Sequence, residues 1–187
     1  MVADRGANAR FRADALPGRL ISGAVLVSGY LLMHEDTHDT AVAALERAVA
    51  PFVAVEAASW PVVEGFGVDR FFASTARASV ILANEREARS LTGVAGPDAA
   101  RALGERYPVA CVKLGAEGAV LVVDGELHRA TSEAIEEADP TGAGDAFDGV
   151  LLGALARGAP VDDALARACR AGALAASSLQ AWPEEVP

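Results

Sequence analysis

Short apolar runs alternate along the chain with segments whose apolar residues recur at helical spacing. The runs predict strands at 24–28, 52–55, 79–82, 109–114, 119–123 and 126–129. The helical spacing predicts helices at 37–49, 85–91, 97–106, 144–156 and 161–179. The strands contain few polar residues, which is typical of a mostly parallel sheet covered by helices on both faces. The pattern therefore predicts one α/β domain over 1–187, whose ligands bind beyond the carboxyl ends of the strands.

Charge and cysteine content narrow the class of protein. The 26 acidic and 16 basic residues leave a formal net charge of −10, which argues against nucleic-acid binding because that needs a basic surface. The net charge does not argue against binding of a phosphate ligand, which needs only a local site. No apolar run is long enough to span a membrane, and the start does not resemble a signal peptide. Cys111 and Cys169 lie outside any CxxC motif, which indicates two buried thiols in a reducing cytoplasm.

The segment 139–147 (DPTGAGDAF) has the most informative chemistry. Gly142 and Gly144 flank Ala143 directly before a predicted helix, and free amides at a helix N-terminus bind anions. Asp145 falls in the first turn, where its carboxylate would repel a phosphate but could take a proton from a hydroxyl that attacks it. The alternative is a helix start whose glycines serve only packing.

This nine-residue segment resembles the C-terminal signature of the ribokinase-like (PfkB) carbohydrate kinases. Residues 84–87 (NERE) are similar to the family's Asn-x-x-Glu motif, and residues 112–119 (VKLGAEGA) to its nucleotide-contacting strand and turn. Residues 27–30 (VSGY) resemble the strand end before its central helix. The resemblance covers nearly the whole chain. It implies a three-layer ribokinase-like sandwich that transfers a phosphoryl group from ATP to a hydroxyl of a sugar or sugar-like substrate, with Mg²⁺.

The resemblance also implies roles for individual residues. Asp145 would be the catalytic base. The anion hole for the γ-phosphoryl would be formed by Gly142, Ala143 and Gly144. The nucleotide site would be lined by Lys113, Gly115, Ala116 and Gly118. Mg²⁺ and its water shell would be supported by Asn84 and Glu87, and a monovalent cation such as K⁺ by Asp139 and Thr141.

Simpler structural roles stay open for several of these residues. Asn84 and Glu87 also fit a helix N-cap with a first-turn acid, and residues 115–118 fit a tight turn between strands. Lys113 stands where the family often has threonine, and it would either reach a phosphate or lie exposed.

The chain departs from the family pattern in one large respect. Full-length members carry a long N-terminal segment that supplies the first strands, a sugar-binding motif and a β-sheet lid. This sequence contains no counterpart of that segment. The sequence therefore predicts an N-terminally truncated domain with an open sheet edge. Expected partners are a small sugar-like molecule and either a second copy of the chain or a complementary N-terminal half. A keto-sugar acid, a hexose and a nucleoside all remain open as substrates.

Two other functions compete with the sugar kinase. His34–His38 (HEDTH) matches the HExxH motif of zinc hydrolases, but Asp36 and Thr37 predict a helix start between the two histidines. A truncated kinase-like domain could instead bind nucleotide without turnover, as a regulatory protein. The absence of a GxxxxGK[ST] motif excludes a P-loop NTPase.

Overall fold

Strands and helices alternate along residues 6–132 and 138–177, the residues that this computed structural model describes. The strands are β1 (Leu20–Ile21), β2 (Ala24–Ser28), β3 (Ala48–Val49), β4 (Phe52–Glu56), β5 (Val80–Asn84), β6 (Val109–Lys113), β7 (Ala119–Val123) and β8 (Glu126–Ala130). The α-helices are α1 (Gly29–Leu32), α2 (His38–Arg47), α3 (Trp60–Phe66), α4 (Val68–Ser74), α5 (Glu85–Thr92), α6 (Gly96–Gly104), α7 (Ala143–Ala156) and α8 (Val161–Ala176). None of the described helices is long and apolar enough to cross a membrane.

Every strand and helix predicted from the sequence is present, with bounds that differ by a few residues. Asn84 caps α5, and Gly93 ends it in the left-handed conformation (φ +78°), which glycine adopts easily and which commonly ends a helix. The segment 60–72, for which the pattern predicts no single element, forms α3 and α4. Gly67 separates the two helices at φ +95°, a conformation that glycine adopts easily.

Six strands form the main sheet in the order β2-β4-β5-β6-β7-β8. The first four run parallel, and β6, β7 and β8 form an antiparallel meander, which confirms a mostly parallel α/β sheet. Glu56, Asn84 and Lys113 are the last residues of β4, β5 and β6, three adjacent strands. Three polar side chains are thereby brought together at the carboxyl ends of the strands, where a parallel sheet binds its ligands.

Alternate residues of the central strands enter two separate apolar cores. Ile81 of β5 packs with residues of the helices that precede α7, whereas its neighbour Leu82 packs with residues of α7 and α8. Both side chains are fully buried, and burying a side chain of this size stabilises the fold by about 1.5–3 kcal/mol. The result is the three-layer arrangement that the sequence predicts. Cys111 and Cys169 are buried free thiols in the second core, as expected.

The opposite end of the sheet is held by a buried polar contact. The Thr75 hydroxyl follows α4, and the Tyr107 hydroxyl precedes β6; the two oxygens are 2.6 Å apart. Both residues are buried, so the hydrogen bond satisfies two groups that would otherwise be costly to remove from water.

Strand β2 is an edge of the main sheet. Within residues 6–132 and 138–177 it pairs only with β4, and its central residue Leu26 is 41% exposed. This is the open edge with exposed apolar surface that the sequence predicts.

Candidate functional site

Three of the predicted site residues, Asn84, Lys113 and Gly144, lie where helix α7 begins against the carboxyl ends of the central strands. A Cβ atom added to Gly144 would lie 3.4 Å from Lys113 Nζ and 4.0 Å from Glu56 Oε1. The glycine turn therefore lies directly against the strand ends, and a larger residue at 144 would press on the lysine. Parts of the chain that are far apart in sequence thus form one site.

The turn before α7 is shaped by local hydrogen bonds. The Thr141 amide donates to Asp139 Oδ1 at 2.9 Å, and the Ala143 amide donates to the Pro140 carbonyl at 3.2 Å. Hydrogen bonds from the Thr141 side chain and amide lower the pKa of Asp139, so that this exposed carboxylate stays ionised. Gly142 caps the helix in the left-handed region at φ +81°. The first amides of a helix have no partner inside it, so this 14-residue helix offers donors and a positive dipole end to an anion.

Asp145 lies in the first turn of α7 and is exposed to solvent. One turn further along the helix, Asp148 is fully buried. The two carboxylates therefore have different environments: Asp145 is accessible to a molecule bound at the helix N-terminus, whereas Asp148 faces the protein interior.

Asn84 and Glu87 form a capping box at the start of α5. Asn84 Oδ1 accepts hydrogen bonds from the amides of Arg86 and Glu87, each at 3.0 Å. In return, Glu87 Oε2 accepts from the Asn84 amide at 2.8 Å, and Glu87 Oε1 accepts from Asn84 Nδ2 at 2.6 Å. The capping role that the sequence leaves open is therefore present. Glu87 is only 3% exposed, and burial raises the pKa of its carboxyl group despite these hydrogen bonds and the nearby Lys113 ammonium.

The raised pKa of Glu87 predicts a pH-dependent stability. Because the native carboxyl group holds its proton at higher pH than the unfolded one (pKa 4.5), folding takes up protons in the window that begins near pH 4.5. The stabilising contribution is fully present below pH 4.5 and is lost as the pH rises through the native-state pKa. We expect the free energy of unfolding of wild type, relative to Glu87→Gln, to fall across this window.

Urea denaturation at a series of pH values measures that difference. Glu85→Gln removes an exposed acid from the same helical turn and controls for the loss of one charge at the helix start. A wild-type minus Glu87→Gln difference that rises with pH would contradict the expected sign.

Lys113 forms a buried ion cluster with Asp148 and Glu56. Its Nζ atom lies 2.9 and 3.0 Å from the two carboxylate oxygens of Asp148 and 3.6 Å from Glu56 Oε1. The Lys113 side chain is 14% exposed and that of Asp148 is 1% exposed, so the alternative that Lys113 lies exposed is wrong. Burial alone would lower the pKa of Lys113, but the carboxylates of Asp148 and Glu56 outweigh it and hold the pKa above its ordinary value.

Asp148 and Glu56 were not among the predicted site residues. One signal for Asp148 was available in the sequence: it is an acid between Phe147 and Leu151 on the apolar face of a helix. Burial raises its pKa to about 7 even though the Lys113 ammonium opposes the shift. Its partner is 35 positions away in sequence, so helical periodicity alone could not identify it.

The turn between β6 and β7 contains the remaining predicted nucleotide residues, Gly115, Ala116 and Gly118. A 3₁₀ turn covers Gly115–Glu117, and the Leu114 amide donates to the Gly118 carbonyl at 2.8 Å. Gly118 adopts φ +93° with no room for a side chain, since a Cβ would lie 2.1 Å from the Ala130 carbonyl oxygen. The tight turn that the sequence leaves open is present, and contact with a nucleotide stays a prediction.

The two histidines of the HExxH segment do not share a helix. His34 precedes α2, and His38 is its first residue, with Nδ1 2.6 Å from the Leu32 carbonyl oxygen. His128 lies elsewhere, with Nδ1 2.7 Å from Asp162 Oδ1. Among the residues that the structure describes, no group of three or more His, Cys, Asp or Glu side chains could hold a metal ion. The geometry gives the zinc-hydrolase alternative no support.

Comparisons with known proteins bear on the family to which the chain belongs. The family model described as pfkB family carbohydrate kinase matches residues 69–184. A cytidine kinase from Thermococcus kodakarensis is 39% identical over 92 residues, which cover 46% of this chain and 33% of that protein.

Solved kinase structures show the same ribokinase-like fold. Aminoimidazole riboside kinase from Salmonella enterica, solved with aminoimidazole riboside and an ATP analog, matches with a TM-score of 0.81 at 22% identity, over 97% of this chain and 66% of that one. Ribokinase from Thermotoga maritima matches with a TM-score of 0.74 at 22% identity, over 94% of this chain and 58% of that one. The chain therefore spans one third of the length of the curated relative and over half of these two structures.

Proposed function

The chain belongs to the pfkB family of carbohydrate kinases, and we propose that it forms the nucleotide-binding and catalytic part of an ATP-dependent kinase acting on a hydroxyl of a sugar or sugar-like molecule. One observation carries the proposal: an exposed carboxylate, Asp145, lies in the same helical turn as the glycine-rich anion site, beside the carboxyl ends of the central strands. A base next to a phosphate site is the minimum that phosphoryl transfer to an alcohol requires.

In the proposed reaction, Asp145 removes the proton from the substrate hydroxyl as its oxygen attacks the γ-phosphorus. The new oxygen–phosphorus bond forms while the bond to ADP breaks. The amides at Gly142, Ala143 and Gly144 are proposed to stabilise the charge on the transferring phosphoryl oxygens, aided by the dipole of α7. For Ala143 this requires its amide to leave the Pro140 carbonyl, to which it donates at 3.2 Å. The turn at Gly115, Ala116 and Gly118 lines the nucleotide site on the neighbouring strand end.

Cations would be held by groups at the edges of this site. Both carboxylate oxygens of Glu87 already accept hydrogen bonds from Asn84, so this pair fits Mg²⁺ only through the ion's water shell, a mode that Mg²⁺ commonly uses. When bound, Mg²⁺ would neutralise phosphate charge. Asp139 stays ionised beside Thr141, and we propose these residues as part of a site for a monovalent cation such as K⁺.

The remaining substrate contacts are proposed to come from polypeptide outside this chain, either a complementary N-terminal half or a second copy. The chain spans 58% and 66% of the two kinase structures, and the β2 edge with exposed Leu26 is where another strand could pair. The cytidine kinase match favours a nucleoside among the open substrate classes, but it covers only 33% of that protein. A net charge of −10 opposes a nucleic-acid partner.

Calorimetric titration of the folded chain with a non-hydrolysable ATP analog tests the proposal. We expect saturable binding that weakens when Mg²⁺ is removed. A folded chain that binds neither the analog nor ADP would overturn the proposal. Phosphoryl transfer is then assayed with a panel of sugars and nucleosides, by the chain alone and with a complementary chain. Nucleotide binding without transfer in every combination would support the regulatory alternative.

A further inference from the structure

Lys113 lies between the central sheet and helix α7. We propose that it is a positioning residue, which holds the first turns of α7 against the carboxyl ends of β4 and β6 through Asp148 and Glu56, and does not itself bind phosphate. The inference rests on the proposed function, because the group being positioned is the anion site and the base of that reaction.

The geometry of the ion cluster supports this role. Lys113 is the last residue of β6. Its partner Asp148 lies on α7 three residues after Asp145, less than one helical turn from the proposed base. Both oxygens of Asp148 accept hydrogen bonds from Nζ, at 2.9 and 3.0 Å. A shift of α7 relative to the strand would therefore break two charge-assisted hydrogen bonds. Gly144 packs against the same ammonium group, with 3.4 Å between Nζ and a Cβ built on the glycine.

The charges in the cluster oppose direct phosphate binding by Lys113. An ammonium group has three N–H donors, and Asp148 already uses two of them. If Lys113 turned toward a phosphate, the 1% exposed carboxylate of Asp148 would be left buried without its partner, which is strongly unfavourable. Glu56 at 3.6 Å adds a second attraction that keeps the ammonium in place.

A comparison of ADP and ATP-analog affinities separates positioning from phosphate binding. The γ-phosphoryl distinguishes the two ligands, so the ratio of their dissociation constants reports on the glycine turn. If Lys113 acts through Asp148, both Lys113→Met and Asp148→Asn should lower the preference for the ATP analog by about tenfold, the size expected for one lost hydrogen bond to a charged group. The double variant should lose no more than either single variant.

Direct phosphate binding predicts a different pattern. Asp148→Asn would then free the ammonium and preserve or strengthen the preference for the ATP analog, whereas Lys113→Met would weaken it. That outcome, or additive losses in the double variant, would overturn the proposal. Tyr107→Phe is the matched control, because it removes a buried hydrogen bond to Thr75 at the opposite end of the sheet and should leave the affinity ratio unchanged.

Two features keep the test decisive. If Lys113→Met does not fold, the double variant removes the fully buried unpaired charge of Asp148, leaves only the 18% exposed Glu56 without its lysine, and is compared directly with Asp148→Asn. Amide hydrogen exchange at residues 146–148, the first amides bonded within α7, needs no nucleotide, and we expect faster exchange in both single variants than in Tyr107→Phe. Failure of wild type to bind nucleotide would refute the proposed function, whereas unchanged exchange at these amides would refute the positioning role.

Discussion

The Asp145→Asn variant should transfer phosphoryl groups about 10²–10⁴-fold more slowly than wild type, the range typical for loss of a general base. Asparagine has the same shape as aspartate but cannot accept the proton of the attacking hydroxyl. The proposed anion site consists of backbone amides at 142–144, which the substitution leaves unchanged. Affinity for the ATP analog should therefore be retained or slightly increased, since one negative charge near the phosphates is removed.

Turnover and binding are measured separately to test this expectation. A coupled assay gives kcat in whichever chain combination is active, and calorimetry gives the affinity for the ATP analog. Asp163→Asn is the matched control, because it places the same exposed substitution in the first turn of α8. An Asp145→Asn enzyme with the kcat of wild type would refute the role of Asp145 as base. Equal losses in both variants would indicate a general effect of removing acidic charge.

Burial on both faces explains why the strands could be predicted from sequence. Strands β5 and β6 are buried at four of their five positions, so each appears as an uninterrupted apolar run. Local stop signals were equally informative, as at Gly93, where the left-handed helix end requires glycine. No single element could be predicted for segment 60–72, because proline and glycine interrupt its apolar pattern. In the structure Pro61 lies in the first turn of α3, and Gly67 separates α3 from α4.

Some features of the candidate site depend on interactions between residues close in sequence, and others on residues far apart in sequence. The glycine turn and the Asn84–Glu87 capping box depend on neighbours within a few residues, so their spacing alone indicates the local conformation. The cluster of Lys113, Asp148 and Glu56 joins parts of the chain that only the sheet order brings together. The sequence therefore offered two alternatives for Lys113, a phosphate contact or an exposed side chain, and gave no indication of its partners Asp148 and Glu56.

Replacing Gly118 with alanine should destabilise the fold by about 3 kcal/mol or more, which combines backbone strain with overpacking. At φ +93° the new Cβ would lie 2.1 Å from the Ala130 carbonyl oxygen and 2.7 Å from Thr131 Cα. Both obstacles are backbone atoms, so no side-chain rotation relieves the clash, and the end of β8 must move. Because Gly118 also ends the predicted nucleotide turn, binding of ADP should weaken together with stability.

Gly125→Ala isolates the contribution of the clash. Gly125 has a similar backbone angle, φ +86°, in the turn between β7 and β8, but a Cβ there would meet no atom within 4 Å. Alanine at this position suffers only the left-handed backbone penalty, about 1–2 kcal/mol, and should leave nucleotide binding unchanged. Urea denaturation gives both losses. Equal losses would mean that the strand end shifts freely, and a rigid nucleotide turn at 115–118 would then be untenable.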